Sequence, residues 1–188
     1  MNKNTVHKDA LDELARIKKK YDDSLKKIGQ YQAYQDTLGL PDSPIPQIKQ
    51  FEDKFGLRHQ IWYNRDTFKK DSYKWFNEKF KDNDAEEVAK EIKRFEKMNL
   101  EMKVKMRKDF KDEVLETLTN EVRAKAAYIN LYQALGNKAM KPKHWVKVFA
   151  LLEQPPGNPD IVQFQHLIQD GIENHTEAID EISALAQG

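Results

Sequence analysis

The 188-residue chain has no cysteine and only seven glycines and seven prolines. Without cysteine there is no disulfide scaffold and no thiolate metal site, a composition that fits a cytosolic protein. The few glycines and prolines gather at joints such as Gly39-Leu40-Pro41-Asp42-Ser43-Pro44 and Gln154-Pro155-Pro156-Gly157-Asn158-Pro159, as expected of long helices joined by short loops. No apolar run approaches the ~18–20 residues of a membrane span, and the first twenty residues lack the apolar core of a secretory signal. No strand-like alternation and no internal repeat is visible.

Catalytic constellations are also lacking. A phosphate-cradling loop needs Gly-x-x-x-x-Gly-Lys-(Ser/Thr), because backbone amides and the lysine neutralise the phosphates. The nearest approach, Gly136-Asn137-Lys138, lacks the first glycine and the hydroxyl residue. The five histidines, His7, His59, His144, His166 and His175, form no i,i+4 pair, and His166 with Asp170 offers only two ligands one turn apart; a metal site needs more. Ser24, Ser43, Ser72 and Ser183 sit on no nucleophile elbow. Glu86, Glu87 and Glu91 beside Lys90 and Lys93 read as a charge-alternating solvated helix face. The expectation is a chain with no catalytic residue, no metal and no cofactor.

Charge is abundant and uneven. Residues 1–110 carry 25 basic and 20 acidic side chains, residues 111–188 carry 7 and 11, and no lysine or arginine follows Lys147. Such a split argues against broad nucleic-acid or membrane binding and permits docking at a surface. The basic run Lys103, Lys105, Arg107, Lys108 and Lys111, interleaved with Met102, Val104, Met106 and Phe110, reads as an amphipathic helix with a solvated side or as a docking patch for an acidic partner.

Periodicity predicts an all-α fold, an elongated antiparallel bundle of long helices and short loops without a sheet. Leu11, Leu14, Ile17, Tyr21, Leu25, Ile28 and Tyr31 make one stripe on a helix from about Thr5 to Leu38. A second helix is expected from Pro44, with Ser43 as its cap, toward Lys81, with Ile45, Ile48, Phe51 or Phe55, Trp62, Phe68 or Lys69, Trp75 or Phe76, and Phe80 inward and a kink possible at Gly56. Asp84-Ala85-Glu86-Glu87 supplies an acidic N-cap and opens a third helix through Val88, Ile92, Phe95 and Leu100. Val114, Leu118, Val122, Ile129, Tyr132 and Leu135 mark a further stripe. A short helix is expected from Met140 to Leu152, and a short and a longer one, from Ile161 to Ala186, meeting near Gly171.

The densest punctuation lies between Leu135 and Trp145. Gly136 and Asn137 both tolerate φ > 0 and end one helix, Pro142 is pre-set for the first turn of the next, and Trp145 stands one turn before Phe149. The expected role of Trp145 is a wedge that fixes the angle between two helices, favoured over ligand recognition because buried aromatics are mostly packing. This stretch, Leu135-Gly136-Asn137 through Met140-Lys141 to Lys143-His144-Trp145, is followed by His175-x-Glu177-x-Ile179-x-Glu181-Ile182-x-x-x-Ala186. Upstream stand Leu25-x-x-Ile28-x-x-Tyr31-Gln32, Leu38-Gly39-Leu40-Pro41, Trp62, Trp75 and Phe80. In that order these segments resemble the amino-terminal part of the linker of dynein heavy chains, axonemal type favoured by Lys138-Ala139-Met140.

The resemblance implies a mechanical arm lying over a ring of ATPase modules in a microtubule motor, inactive as an isolated piece. Its partners would be the remaining linker and ring of the same heavy chain and other dynein subunits, with neither nucleic acid nor membrane, at the cytoskeleton of the cytoplasm, the axoneme of a cilium being favoured over cytoplasmic transport. It gives Leu135, Gly136, Asn137, His144 and Trp145 a structural role, and Lys143 stands where many relatives have arginine. It also implies two helices rather than one where the stripe drifts near Met106 to Asp112. The expected division is a long-helix bundle over 1–135 and a short-helix segment of the same arm over 136–188. A spectrin-like scaffold bundle explains stripes and loops as well, but not the His144-Trp145 neighbourhood.

Overall fold

The computed structural model describes residues 7–41, 46–106 and 111–188. Eight α-helices follow in these stretches: α1 His7–Thr37, α2 Pro46–Asn77, α3 Ala85–Lys105, α4 Glu113–Ala126, α5 Ile129–Leu135, α6 Pro142–Leu151, α7 Phe164–Gln169 and α8 Thr176–Gln187. Single 3₁₀ turns occupy Phe80–Asp82, Pro159–Ile161 and Ile172–His175. The described residues hold no strand; Lys79 and Gln163 form one isolated antiparallel bridge. The all-α expectation holds. Ser43, Pro44 and Ile45 lie outside the described residues.

Local chemistry explains where the helices stop and start. At the end of α1, Gly39 takes φ +64, Leu40 N–H reaches Gln35 O at 2.9 Å and Gly39 N–H reaches Asp36 O at 3.1 Å. These paired bonds satisfy the last carbonyls through a left-handed glycine. Helix α3 starts where Asp84 Oδ1 accepts from Glu86 N–H at 3.0 Å and Glu87 N–H at 3.3 Å, and those two amides hold the Asp84 carboxyl below its ordinary pKa, with Lys138 adding to the effect. Asp112 caps α4 in the same way through Val114 and Leu115. Helix α2 runs through Gly56 without interruption.

Helices α1 and α2 form an antiparallel hairpin, α3 returns along α2, and α4 packs back against both α2 and α3. A large core joins Phe68, Phe76 and Phe80 to Phe95, Leu118 and Tyr132, and continues through Trp145, Phe164, Ile172 and Ile179. One apolar interior therefore runs from α2 to α8. A smaller cluster packs Ala10 and Leu14 of α1 against Ile61, Trp62, Met102, Met106, Val114 and Leu115. Among the α1 stripe, Leu14 is buried and Leu11, Ile17, Tyr21, Leu25 and Ile28 are half-buried.

Four expectations are corrected. Tyr31 is 68% exposed, because among the described residues the outer half of α1 packs against α2 on one side. Leu100 is 64% exposed; the buried face of α3 carries Val88, Ile92, Phe95, Asn99 and Met102, and Leu100 follows Asn99 by the ~100° that turns it away. Helix α2 ends at Asn77 rather than Lys81, and Phe80 is reached through a separate 3₁₀ turn. The stripe from Val114 to Leu135 is split between α4 and α5, with Ala127 N–H bonding Arg123 O and Tyr128 N–H bonding Lys125 O. That tightened turn keeps both halves of the stripe inward.

At its centre the large core is aromatic. Phe164 lies 4.8 Å from Tyr132, 5.1 Å from Phe76 and 5.9 Å from Phe80 by ring centroids, and Trp145 meets Phe80 edge-on at 6.1 Å. Three of these contacts are edge-to-face and the Phe164–Phe80 pair is stacked; both arrangements add to the area they bury. The Tyr132 hydroxyl, buried beside them, donates to the Trp75 carbonyl at 3.0 Å, and burial raises its pKa. Replacing Trp145 with alanine is expected to cost roughly 3–5 kcal/mol, read as a lower midpoint in chemical denaturation; an unchanged midpoint would contradict a load-carrying role for this ring.

Candidate functional site

The segment from Leu135 to Trp145 is where four helices meet. Leu135 closes α5 with its side chain in the core, and Gly136 N–H bonds Tyr132 O at 2.9 Å. Gly136 has φ −79 and ψ 3, and Asn137 is not among the positive-φ residues. The expectation that these two end the helix through φ > 0 is therefore corrected. What requires glycine is space: a Cβ at Gly136 would stand 2.3 Å from the Cβ of Ala85, the first residue of α3. The corner is pressed directly onto the start of another helix.

Asn137 holds the corner to α8. Its Nδ2 donates to the Ser183 carbonyl and to Ser183 Oγ, each at 3.0 Å, while its Oδ1 accepts from Ala139 N–H at 3.0 Å. One amide thus shapes its own turn and clamps a helix 46 residues away in sequence. Lys138 Nζ lies 3.4 Å from Asp84 Oδ2, and Gln133 Nε2 donates to both oxygens of Glu86 at 3.0 and 2.9 Å. These outer contacts are exposed and contribute little individually. They nonetheless complete a ring of contacts from α5 to the first turn of α3.

Helix α6 opens at Pro142 after Lys141. Lysine has no side-chain acceptor, so the N-cap is made from the other side: His144 Nδ1 accepts from Lys141 N–H at 3.0 Å. His144 is buried. Burial lowers its pKa, and the neighbouring Lys143, Lys147 and Lys141 charges lower it further. A neutral imidazole with Nδ1 free of a proton is the form this cap requires. Trp145 then points into the aromatic core beside Phe149, at 6.2 Å.

The remaining candidates lie apart. Lys103, Lys105 and Lys111 are exposed, whereas Arg107, Lys108 and Phe110 fall outside the described residues. Met102 and Met106 are buried and Val104 is exposed. Glu91 pairs with Arg94 at 2.7 Å and Glu87 lies 3.6 Å from Lys90, as a solvated helix face should. His166 and Asp170 are exposed, and among the described residues no three His, Asp or Glu side chains converge as metal ligands. No helix among them is long and apolar enough to cross a membrane. The Gly136–Ala85 contact and the Asn137–Ser183 clamp had no signal in a single sequence beyond the motif that contains Gly136 and Asn137.

Residues 48–188 match the family model described as dynein heavy chain, N-terminal region 2. The chain belongs to the dynein heavy chain family. It is similar to dynein axonemal heavy chain 1 of Mus musculus, with 24% identity over 183 residues, 93% of this chain and 4% of that protein. The chain thus spans a small part of the length of the curated dynein it matches. The family match begins in α2 and includes the whole corner, so the motif read from the sequence and the four-helix junction coincide.

Two outcomes follow. Gly136→Ala is expected to destabilise the chain by ~1–3 kcal/mol through overpacking, and adding Ala85→Gly should recover much of the loss; failure of the second substitution to help would contradict the close approach. For His144, a folded pKa below the unfolded value of about 6.5 means that the unfolded chain binds more protons between the two values. Its contribution is therefore complete above about pH 6.5 and is lost as pH falls through the folded pKa. His144→Gln, which keeps an acceptor without titrating, is expected to flatten the fall in melting temperature on acidification through that range.

Proposed function

We propose that this chain is a segment of a dynein heavy-chain linker, a helical arm that passes on nucleotide-driven motion made elsewhere in the motor. The observation that carries the reading is the family match over residues 48–188. The single apolar core running from α2 to α8 supports it physically, since side chains packed at this density resist small displacements and shift load to their neighbours. In this reading the segment has no catalytic residue and takes no cofactor or metal. Its partners are the rest of the same heavy chain, including the ATPase ring, and other dynein subunits. Its place is the cytoskeleton, with the axoneme of a cilium favoured by the name of its mouse relative.

The basic side chains at the end of α3 and the start of α4 take a subordinate part. Lys103, Lys105 and Lys111 are exposed and belong to the basic run proposed to dock an acidic surface of the motor; Arg107 and Lys108 of that run lie outside the described residues. The test of the main reading uses the longer polypeptide that carries the segment. With Asn137→Ala and Gly136→Ala together, microtubule gliding is expected to slow while ATP turnover persists. Unchanged gliding with a measurably loosened arm would contradict the reading, as would ATP turnover by the 188-residue chain alone.

A further inference from the structure

The two apolar clusters do not merge, and what separates them is polar. On α2, Trp62 belongs to the smaller cluster and Phe68 to the larger, with Asn64 and Arg65 between them. On α3, Met102 and Phe95 belong to the smaller and larger clusters, with Asn99 between. On α4 the boundary falls between Leu115 and Leu118. Phe68 and Phe95 pack edge-to-face at 5.0 Å, which fixes the α2/α3 register and brings Arg65 and Asn99 to the same level of the bundle.

This level is poorly satisfied. Asn99 is 4% exposed, and neither its Oδ1 nor its Nδ2 has a hydrogen-bond partner among the described residues. Arg65 donates through Nε and Nη2 to the Glu121 carboxylate at 3.3 and 2.9 Å, but its buried Nη1 has no hydrogen-bond partner among the described residues. Asn64 accepts from Gln60 Nε2 at 2.6 Å. Buried polar groups without partners are expensive in a low-dielectric interior. Admitting water at this level relieves the cost, whereas admitting it within either apolar cluster only loses packing.

We propose that the Arg65–Asn99 layer is a built-in break in cooperativity, across which the smaller cluster opens as a unit of its own while the larger one stays packed. The opening unit comprises the start of α1, the middle of α2, the end of α3 and the start of α4. Stability then changes in a step along α2 rather than smoothly. The layer makes the cluster around Leu14, Trp62, Met102 and Leu115 the compliant part of this segment and the larger core, from Phe68 through α8, the stiff part. That assignment rests on burial and hydrogen bonding alone and stands whether or not the segment acts as an arm.

Hydrogen exchange on the full 188-residue chain tests it within one helix. Ile61 and Trp62 on one side of the layer and Phe68 on the other are interior to the 32-residue α2; Phe76 lies one residue before its end, where fraying only speeds exchange and works against the expected gap, so fraying does not explain a difference. Amides at 61–62 are expected to exchange ~10-fold or more faster than those at 68–76. Asn99→Leu, which removes the orphaned amide, should narrow that gap. Arg65→Met is the second variant, because Glu121, with 40% of its side chain exposed, can turn to water. Narrowing in either folded variant supports the proposal. Equal rates in the wild-type chain, or a gap unchanged in the variants, would overturn it.

Discussion

The close approach of Gly136 to Ala85 is the constraint on which the second half of the structure depends. With a Cβ 2.3 Å from another Cβ, the two backbones could not meet, and α5 would have to lift from the first turn of α3. Everything after Leu135 is oriented by that contact: Asn137 is brought to Ser183 of α8, Pro142 starts α6 in a fixed direction, and His144 caps it by reaching back to Lys141. Trp145 is then delivered to Phe80. A short-range steric fact thus sets long-range geometry.

Stiffness follows from how the interior is filled. Phe76, Phe80, Tyr132, Trp145 and Phe164 come from the end of α2, the turn after it, α5, α6 and α7, so no helix in that part can move without disturbing rings on several others. Close-packed interiors of this kind switch between discrete arrangements or stay put. The α1/α2 hairpin is different. Its outer half carries exposed Tyr31, Tyr34 and Leu38, and its aromatic contacts, Tyr21 on Phe51 at 4.5 Å across the two helices and Phe51 on Phe55 at 5.6 Å along α2, line a single seam. A seam supported from one side bends more readily than a core enclosed on all sides.

Much of this was legible in sequence because it is periodic or punctuated. Leu14, Val88, Ile92, Phe95, Leu118 and Val122 lie at helical spacing and are buried; Asp84 caps α3 where a carboxylate before an acidic first turn predicts it. Sequence reasoning failed where tertiary context decides. Leu100 is apolar but faces out, while Asn99 is polar and faces in, and composition points the opposite way for both. The bend after Ala126 has neither glycine nor proline to announce it. At the candidate site the residues were identified by resemblance, but the reason for Gly136 was misread as backbone conformation when it is proximity to Ala85. A pair contact 51 positions apart in the chain leaves no local trace.

If the corner makes α3, α5, α6 and α8 one body, the separation between α3 and α8 must have a single value. The absence of native cysteine allows two unique labels, at the exposed positions of Lys90 and Asp180, and a pulsed spin-label measurement of the distances between them. A single narrow distribution is the predicted result. A broad or two-peaked distribution would show that the corner does not hold these helices together and would contradict the account.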